Sequence, residues 1–406
     1  MQSKGSHLFD RIKKIMSILQ ESEERLSIES AQNRTNNNFE VLSPHDYFIA
    51  LQNRIPEAKK RVWLKTMNFE ADHIFGSLSH LMKKAAIRQV DTRFSCDWFA
   101  LMVTDGQLDN LVSLSKERNR FRNSRRGNKR AALKNLEDNG VEILVTNPMT
   151  NRFSQLNPAS GRNHIKMAII DDTAYLGGIN LSDKDFNRED FMIQIKDPNI
   201  VEVLANLYTE TPSIDTKIEC TDETSLLIDS GTKRQSIILN AVRQAVDNSR
   251  ASIMITSQFT LDRPIIVSLD KAVSQNKQVV VITSDPSKIT ETIPWFFDRA
   301  NYWTERSFQL KIPTFEYPNW IHFKAALIDV QTPYQVLFAG THNFSGKGVN
   351  WGNEEAAIMT TNDNLVSAFN TLLSRLLSNS RERINLSVLE QVKQDINNIQ
   401  NRSPTL

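Results

Sequence analysis

The chain has 406 residues, with 40% hydrophobic and 24% charged residues, which suits a globular protein of about two domains rather than a fibrous or disordered one. A formal net charge of +2 excludes a global field that would pull the whole molecule onto nucleic acid or anionic lipid, so any such attraction has to be local. Only Cys96 and Cys220 are present, which argues against a disulfide framework or a thiolate metal site and fits a reducing compartment.

Residues 1–40 stand apart as a helical extension and linker. Leu8, Ile12, Ile15, Met16 and Leu19 recur at helical spacing, with Arg11, Lys13 and Lys14 between them, and predict an amphipathic helix that packs as an arm or, as the alternative, lies on a membrane surface. The run Gln32-Asn33-Arg34-Thr35-Asn36-Asn37-Asn38 reads as a linker. Met1–Leu19 lacks the apolar core and small-residue cleavage site of a secretory signal. No stretch approaches the ~20 apolar residues that span a bilayer. The expectation is a cytoplasmic protein, at most peripheral on a membrane.

The remainder is an internal repeat. Val62–Asp72 reads as a buried strand ending in a loop, followed by a helix through Ile74, Leu78, Leu81, Met82 and Ala85 and a strand over Val90–Asp97. Ser252–Phe259 starts the same order again, leading to Asp262, a helix through Ile266, Leu269 and Val273, and a strand over Gln278–Thr283. Phe69 matches Phe259 and Asp72 matches Asp262. Strands alternating with helices predict an α/β fold of two pseudo-symmetric α/β/α repeats, with mixed, mainly parallel sheets. The polar segment Pro212–Glu223 marks the boundary between domains 41–212 and 213–378, and residues 379–406 read as a charged helical tail.

Each repeat carries one motif. His164-Ile165-Lys166 is followed by Asp171, and His322-Phe323-Lys324 by Asp329; the two histidines are 158 residues apart. A Gly-x-Asn turn follows each: Gly177-Gly178-Ile179-Asn180 and Gly340-Thr341-His342-Asn343. A solitary histidine on an apolar strand is normally structural. Two chance matches to HxKxxxxD among seven histidines would occur in on the order of a few per ten thousand chains. Period-two alternation sets His and Lys on one face of a strand. Pairing two such strands brings two imidazoles and two ammonium groups to one spot between the repeats. That constellation suits a phosphodiester: ammonium groups neutralise the non-bridging oxygens, one imidazole attacks phosphorus, and the other protonates the leaving alkoxide. Asn180 and Asn343 can donate further hydrogen bonds to substrate. The lysines supply the positive charge, so no metal or cofactor is called for.

At these residues the chain resembles the phospholipase D superfamily, from about Val62 to about Leu377. The resemblance implies a covalent phosphohistidine intermediate and places the motif aspartates, Asp171 and Asp329, as braces of the motif. It also implies an acidic residue on the second nitrogen of each histidine. Asp190, 26 residues past His164, and Glu354, 32 past His322, are carried to that role, with Glu355 as the rival to Glu354. His342, inside the second turn, is a further candidate for an active-site contact. The first motif departs from the family pattern with five residues between Asp171 and Gly177 and with Gly178 where many members place Ser; the second is longer, over Val330–Ala339.

Substrate is harder to read. Lys116–Arg130 holds eight cations within fifteen positions, a run that reads either as a solvated helical face or as a patch that attracts anionic lipid or a nucleic-acid backbone. Gly177–Asn180 and Arg188-Glu189-Asp190 are similar to the corresponding stretches of bacterial cardiolipin synthases and related phosphatidyltransferases. That resemblance implies a phospholipid substrate and peripheral membrane contact. A nuclease or nucleic-acid phosphodiesterase is the second reading, a non-catalytic scaffold the third, and no obligate protein partner is inferred.

Overall fold

A computed structural model describes residues 38–102, 116–148, 161–258, 261–284 and 312–382, with the helix side chains at 116–124 left out. The N-terminal helix and linker, Phe259 and the tail helix lie outside these residues.

The first repeat begins with β1 (Phe39–Leu42), α1 (Pro44–Glu57), β2 (Arg61–Thr66), α2 (His73–Ile87), β3 (Asp91–Asp97), α3 (Lys116–Glu137) and β4 (Glu142–Thr146). It continues with β5 (Met167–Ile170), β6 (Thr173–Gly177), the short α4 (Asp183–Phe186), β7 (Met192–Ile195) and α5 (Pro198–Thr209). These strands form one sheet in the order β1-β7-β6-β5-β2-β3-β4. The second repeat supplies β8 (Thr216–Glu219), β9 (Thr224–Ser230), α6 (Ile237–Asn248), β10 (Ser252–Thr256), α7 (Arg263–Ser274) and β11 (Gln278–Ser284). Then come β12 (Thr314–Tyr317), β13 (Ala325–Ile328), β14 (Val336–Gly340), α8 (Gly346–Trp351), β15 (Glu354–Thr360), α9 (Asp363–Ser378) and β16 (Arg381–Glu382). The second sheet runs β16-β12-β11-β10-β13-β14-β15-β9-β8.

The two strand orders superimpose: β7-β6-β5-β2-β3-β4 in one is β15-β14-β13-β10-β11-β12 in the other. Register agrees as well, with Lys65 opposite Met167 in the first repeat and Thr256 opposite Ala325 in the second. The sheets are mixed, but parallel neighbours are confined to β2·β3·β4 and β10·β11·β12. The other strand pairings within the two sheets are antiparallel, which corrects the expectation of mainly parallel sheets. The helical crossovers legible in the sequence build only the first part of each sheet. Past the HxK motif the chain returns through short turns such as Asp171-Asp172, and short turns join antiparallel strands.

Period-two alternation decides what faces where. Ile165 and Phe323, each between a histidine and a lysine, are buried in a core made from both repeats. Phe323 packs on Phe191 with ring centroids 4.6 Å apart, and Phe191 meets Phe369 at 4.9 Å. Burying each such ring contributes roughly 1.5–3 kcal/mol, so the residues flanking the polar motif lock the two sheets together. Caps define the helix starts: Ser43, Asp72, Ser236 and Asn362 each accept a backbone N–H of the first turn.

Candidate active site

Both HxK segments lie just ahead of a strand, and each leaves its own sheet to pair with the other repeat. Asn163 bridges to Glu354, and Ile321 to Glu189. The backbone N–H of His164 donates to the Glu354 carbonyl at 2.9 Å, and that of His322 to the Glu189 carbonyl at 2.8 Å. Each histidine therefore meets a carboxylate from the opposite repeat. His164 Nδ1 lies 2.8 Å from Glu355 Oε2, and His322 Nδ1 lies 2.5 Å from Asp190 Oδ2.

The acid beside His164 is thus Glu355, not Glu354. Strand register explains it. Gly177 pairs with Met192 and Gly340 with Ala357, and Asp190 and Glu355 each stand two residues before those partners. Glu354 is the counterpart of Glu189, and its carboxylate is taken by Asn163 Nδ2 at 2.5 Å, Thr211 Oγ1 at 2.7 Å and Asn147 Nδ2 at 3.3 Å. Counting residues from the histidine misleads because the second hairpin has a longer turn between Asp329 and Val336. Counting back from the strand opposite the Gly turn would have found Glu355.

The space behind each carboxylate differs. Gly178 has no Cβ, and one placed there would collide with the Asp190 carboxylate. At the equivalent position Thr341 donates its hydroxyl to Glu355 Oε2 at 2.5 Å.

Both lysines are buried, Lys166 at 1% and Lys324 at 0% exposure. Lys166 Nζ donates to the His164 carbonyl at 2.6 Å, and Lys324 Nζ to that of His322. Burial is the main force lowering Lys166 to about 7 and Lys324 to about 8, with Glu355 and Asp190 acting against it. Burial also holds His164 below, and His322 well below, the usual imidazole range. Asp190 is pushed up to about 6, mainly by burial and against the pull of Lys324. Glu355 is held low: burial opposes this, but its interaction and hydrogen bond with His164, helped by His342 and Lys166, outweigh it. With Nδ1 of each ring engaged by a carboxylate, Nε2 is the nitrogen left for chemistry.

Asn180 accepts Asn68 N–H at 3.3 Å and Thr66 Oγ1 at 3.4 Å through its carbonyl oxygen, which leaves its NH₂ as donor. Asn343 differs: its Oδ1 is buried without a partner among the described residues, and its backbone carbonyl takes the Ser257 hydroxyl. Asp171 and Asp329 sit at the far end of their strands. The Asp171 carboxylate accepts the N–H groups of Lys59, Lys60 and Arg61, and that of Asp329 those of Arg250, Ala251 and Ser252. Both have left-handed backbones, φ 50° and 52°, a conformation Asp tolerates. They brace the turn rather than line the site.

Part of the basic run is also redirected. Lys129, at 1% exposure, pairs with Glu70 Oε1 at 2.8 Å and the Ala100 carbonyl at 3.0 Å, so it anchors α3 and is not a surface cation. Among the described residues, no group of three or more His, Cys, Asp or Glu is placed to hold a metal ion. No helix among them is long and apolar enough to cross a membrane.

The family described as cardiolipin synthase, PLD-like domain, matches residues 51–210 and 242–377, one block per HxK motif. The chain belongs to this family. It is a phospholipase D-superfamily enzyme of the phosphodiesterase or phosphatidyltransferase type. Phosphatidylserine synthase of Haemophilus influenzae Rd KW20 is similar in structure, with TM-score 0.65 and 12% identity, covering 94% of this chain and 98% of its own. Polyphosphate kinase of Porphyromonas gingivalis is similar with TM-score 0.53 and 12% identity, covering 84% of this chain and 50% of its own. At such identities these likenesses speak for the fold, a pair of phospholipase D-like repeats. No curated protein matches the chain in sequence.

Proposed function

We propose that this phospholipase D-superfamily enzyme transfers a phosphatidyl group between phospholipids, in the manner of a cardiolipin synthase, through a phosphohistidine. The observation that carries the reading is the crossed pairing of His164 with Glu355 and His322 with Asp190. It gives one site an imidazole, His164, whose Nε2 can attack, and a His322–Asp190 pair that can hold the proton the leaving alkoxide takes, beside two buried lysines.

In the first step His164 Nε2 bonds to phosphorus and the bond to the leaving alkoxide breaks; that oxygen takes a proton from His322 Nε2. The His322–Asp190 pair carries that proton, and its short contact lets the charge be shared as the ring gives it up. Lys166 and Lys324, with the Asn180 amide, stabilise the charge that grows on the non-bridging oxygens. In the second step an incoming hydroxyl returns a proton to His322, bonds to phosphorus and displaces His164. A lipid hydroxyl gives transfer, and water gives hydrolysis. The cations of Lys116–Arg130 draw the protein to anionic membrane, each exposed one contributing about 1 kcal/mol.

The test gives the purified chain phosphatidylglycerol vesicles and a single-stranded oligonucleotide in parallel. Diphosphatidyl product is expected. Phosphatidic acid alone makes the enzyme a phosphodiester hydrolase, and a cleaved oligonucleotide beside inert lipid makes it a nuclease. Acid quench with labelled lipid should leave the label on a peptide containing His164; a label found only on His322 reverses the roles.

A further inference from the structure

The second repeat keeps an ionisable pair where the first has none. Ile179, next to Gly178, is buried in the apolar core of the first repeat. Its counterpart His342 is equally buried, at 3% exposure. His342 Nδ1 accepts the Phe344 N–H at 2.8 Å, which puts the ring proton on Nε2. Nε2 faces Asp229 Oδ2 at 3.7 Å. Asp229 is buried at 2% exposure and accepts the Ser236 hydroxyl at 2.6 Å and the Ile238 N–H at 3.3 Å, at the start of α6. Register pairs Leu227 with Ala357 and Leu42 with Met192, so the counterpart of Asp229, two residues beyond Leu42, is Pro44.

We propose that Asp229 and His342 are positioning residues that form a buried proton-holding pair behind Glu355 and thereby tune His164 but not His322. Glu355 interacts electrostatically with both members of the pair. Burial pushes Asp229 up to about 7 and His342 down to about 4, so near neutrality Asp229 changes charge while His342 stays neutral. An ionised Asp229 adds negative charge behind Glu355 and favours the proton on His164; a protonated Asp229 removes that help. The other ionisable groups around Asp229 are Asp215 and Glu355. Those around His164 are Glu355, Lys166 and Lys324, with His342 facing it from the second turn. His322 faces Lys324, Arg188, Asp185 and Lys166, with Asp190 on its Nδ1.

The inference takes its consequence from the catalytic reading of His164, but its test measures imidazole titration and not turnover; turnover of H164A judges the catalytic reading separately. The full chain, labelled with ¹⁵N-histidine, is titrated with the nitrogens of His164 and His322 followed in wild type, Asp229→Asn and His342→Gln. In the wild type, His164 should respond in two steps, one coinciding with the ionisation of Asp229. In Asp229→Asn the second step should vanish, while the main His164 midpoint, reached with Asp229 already protonated in the wild type, and that of His322 stay in place. Should Asp229→Asn not fold, the wild-type titration and His342→Gln, which retains an acceptor for the Phe344 N–H, still decide. A single-step His164 curve in the wild type overturns the proposal, as does an equal shift of both histidines in a folded variant.

Discussion

The half-sites around His164 and His322 share one backbone and differ in what stands behind the carboxylate. Both use a strand of identical register, a left-handed Asp that ties three N–H groups, and an acid two residues before the strand partner of a Gly turn. On the Asp190 side the turn offers the missing Cβ of Gly178 and the apolar Ile179. Behind Glu355 stand Thr341, His342 and Asp229. The features held in common are those that chain geometry needs. The features that differ touch ionisable groups, where one imidazole has to attack and the other has to give up a proton. The duplication keeps its scaffold and diverges in its electrostatics.

The largest effect should come from removing either imidazole. His164→Ala and His322→Ala should each lower turnover of vesicle lipid by about 10³-fold or more, and the double variant should lose no more than either alone, because both act in one transition state. Losses that multiply would mean that the half-sites work independently. Next come the crossed carboxylates: Glu355→Gln and Asp190→Asn should each cost about 10²–10³-fold in kcat by loosening the ring that each one orients. Glu354→Gln should stay within roughly 10-fold, since its carboxylate holds Asn163 and Thr211 and not an imidazole. A larger loss from Glu354→Gln than from Glu355→Gln would undo the register assignment.

Stability should separate the two turns. Gly178→Ser forces its Cβ onto the Asp190 carboxylate and should destabilise by roughly 1–3 kcal/mol in urea unfolding. Thr341→Val removes the hydroxyl bonded to Glu355 and should cost about 1–2 kcal/mol. If Gly178→Ser were neutral, the tight contact would carry no weight. The pH dependence of kcat/KM should be bell-shaped. Its acid limb follows protonation of His164, below the usual imidazole range. Its basic limb follows proton loss from the Asp190–His322 pair at about 6 and from Lys166 and Lys324 at about 7 and 8. Bound phosphodiester favours the protonated lysines, so the basic limb of kcat should lie higher than that of kcat/KM. A flat profile from pH 5 to 9 would contradict it. Smallest of all should be the effect of a strong chelator, which should leave the rate unchanged because two lysines supply the charge; loss with EDTA and recovery with Mg²⁺ would show otherwise.

His164, Lys166, His322 and Lys324 were legible because their spacing repeats twice in one chain, and a local pattern needs no fold to be seen. The doubled strand–helix–strand order was legible for the same reason: amphipathic periodicity is written within each element. The sheets' antiparallel halves were not, since a short turn and a crossover decide direction without changing the strands they join. Nor was Glu355. Its role depends on register between β14 and β15 and on a crossing of the two repeats, contacts between residues 191 positions apart. Lys129 shows the same limit, reading as one cation in a basic run until Glu70, 59 residues away, proves to be its partner. Residue order alone shows which groups could do chemistry on a phosphodiester. Only the tertiary structure decided which acid serves which imidazole and how unlike their surroundings are, because burial and charge at a point are sums over neighbours that the chain brings from far away.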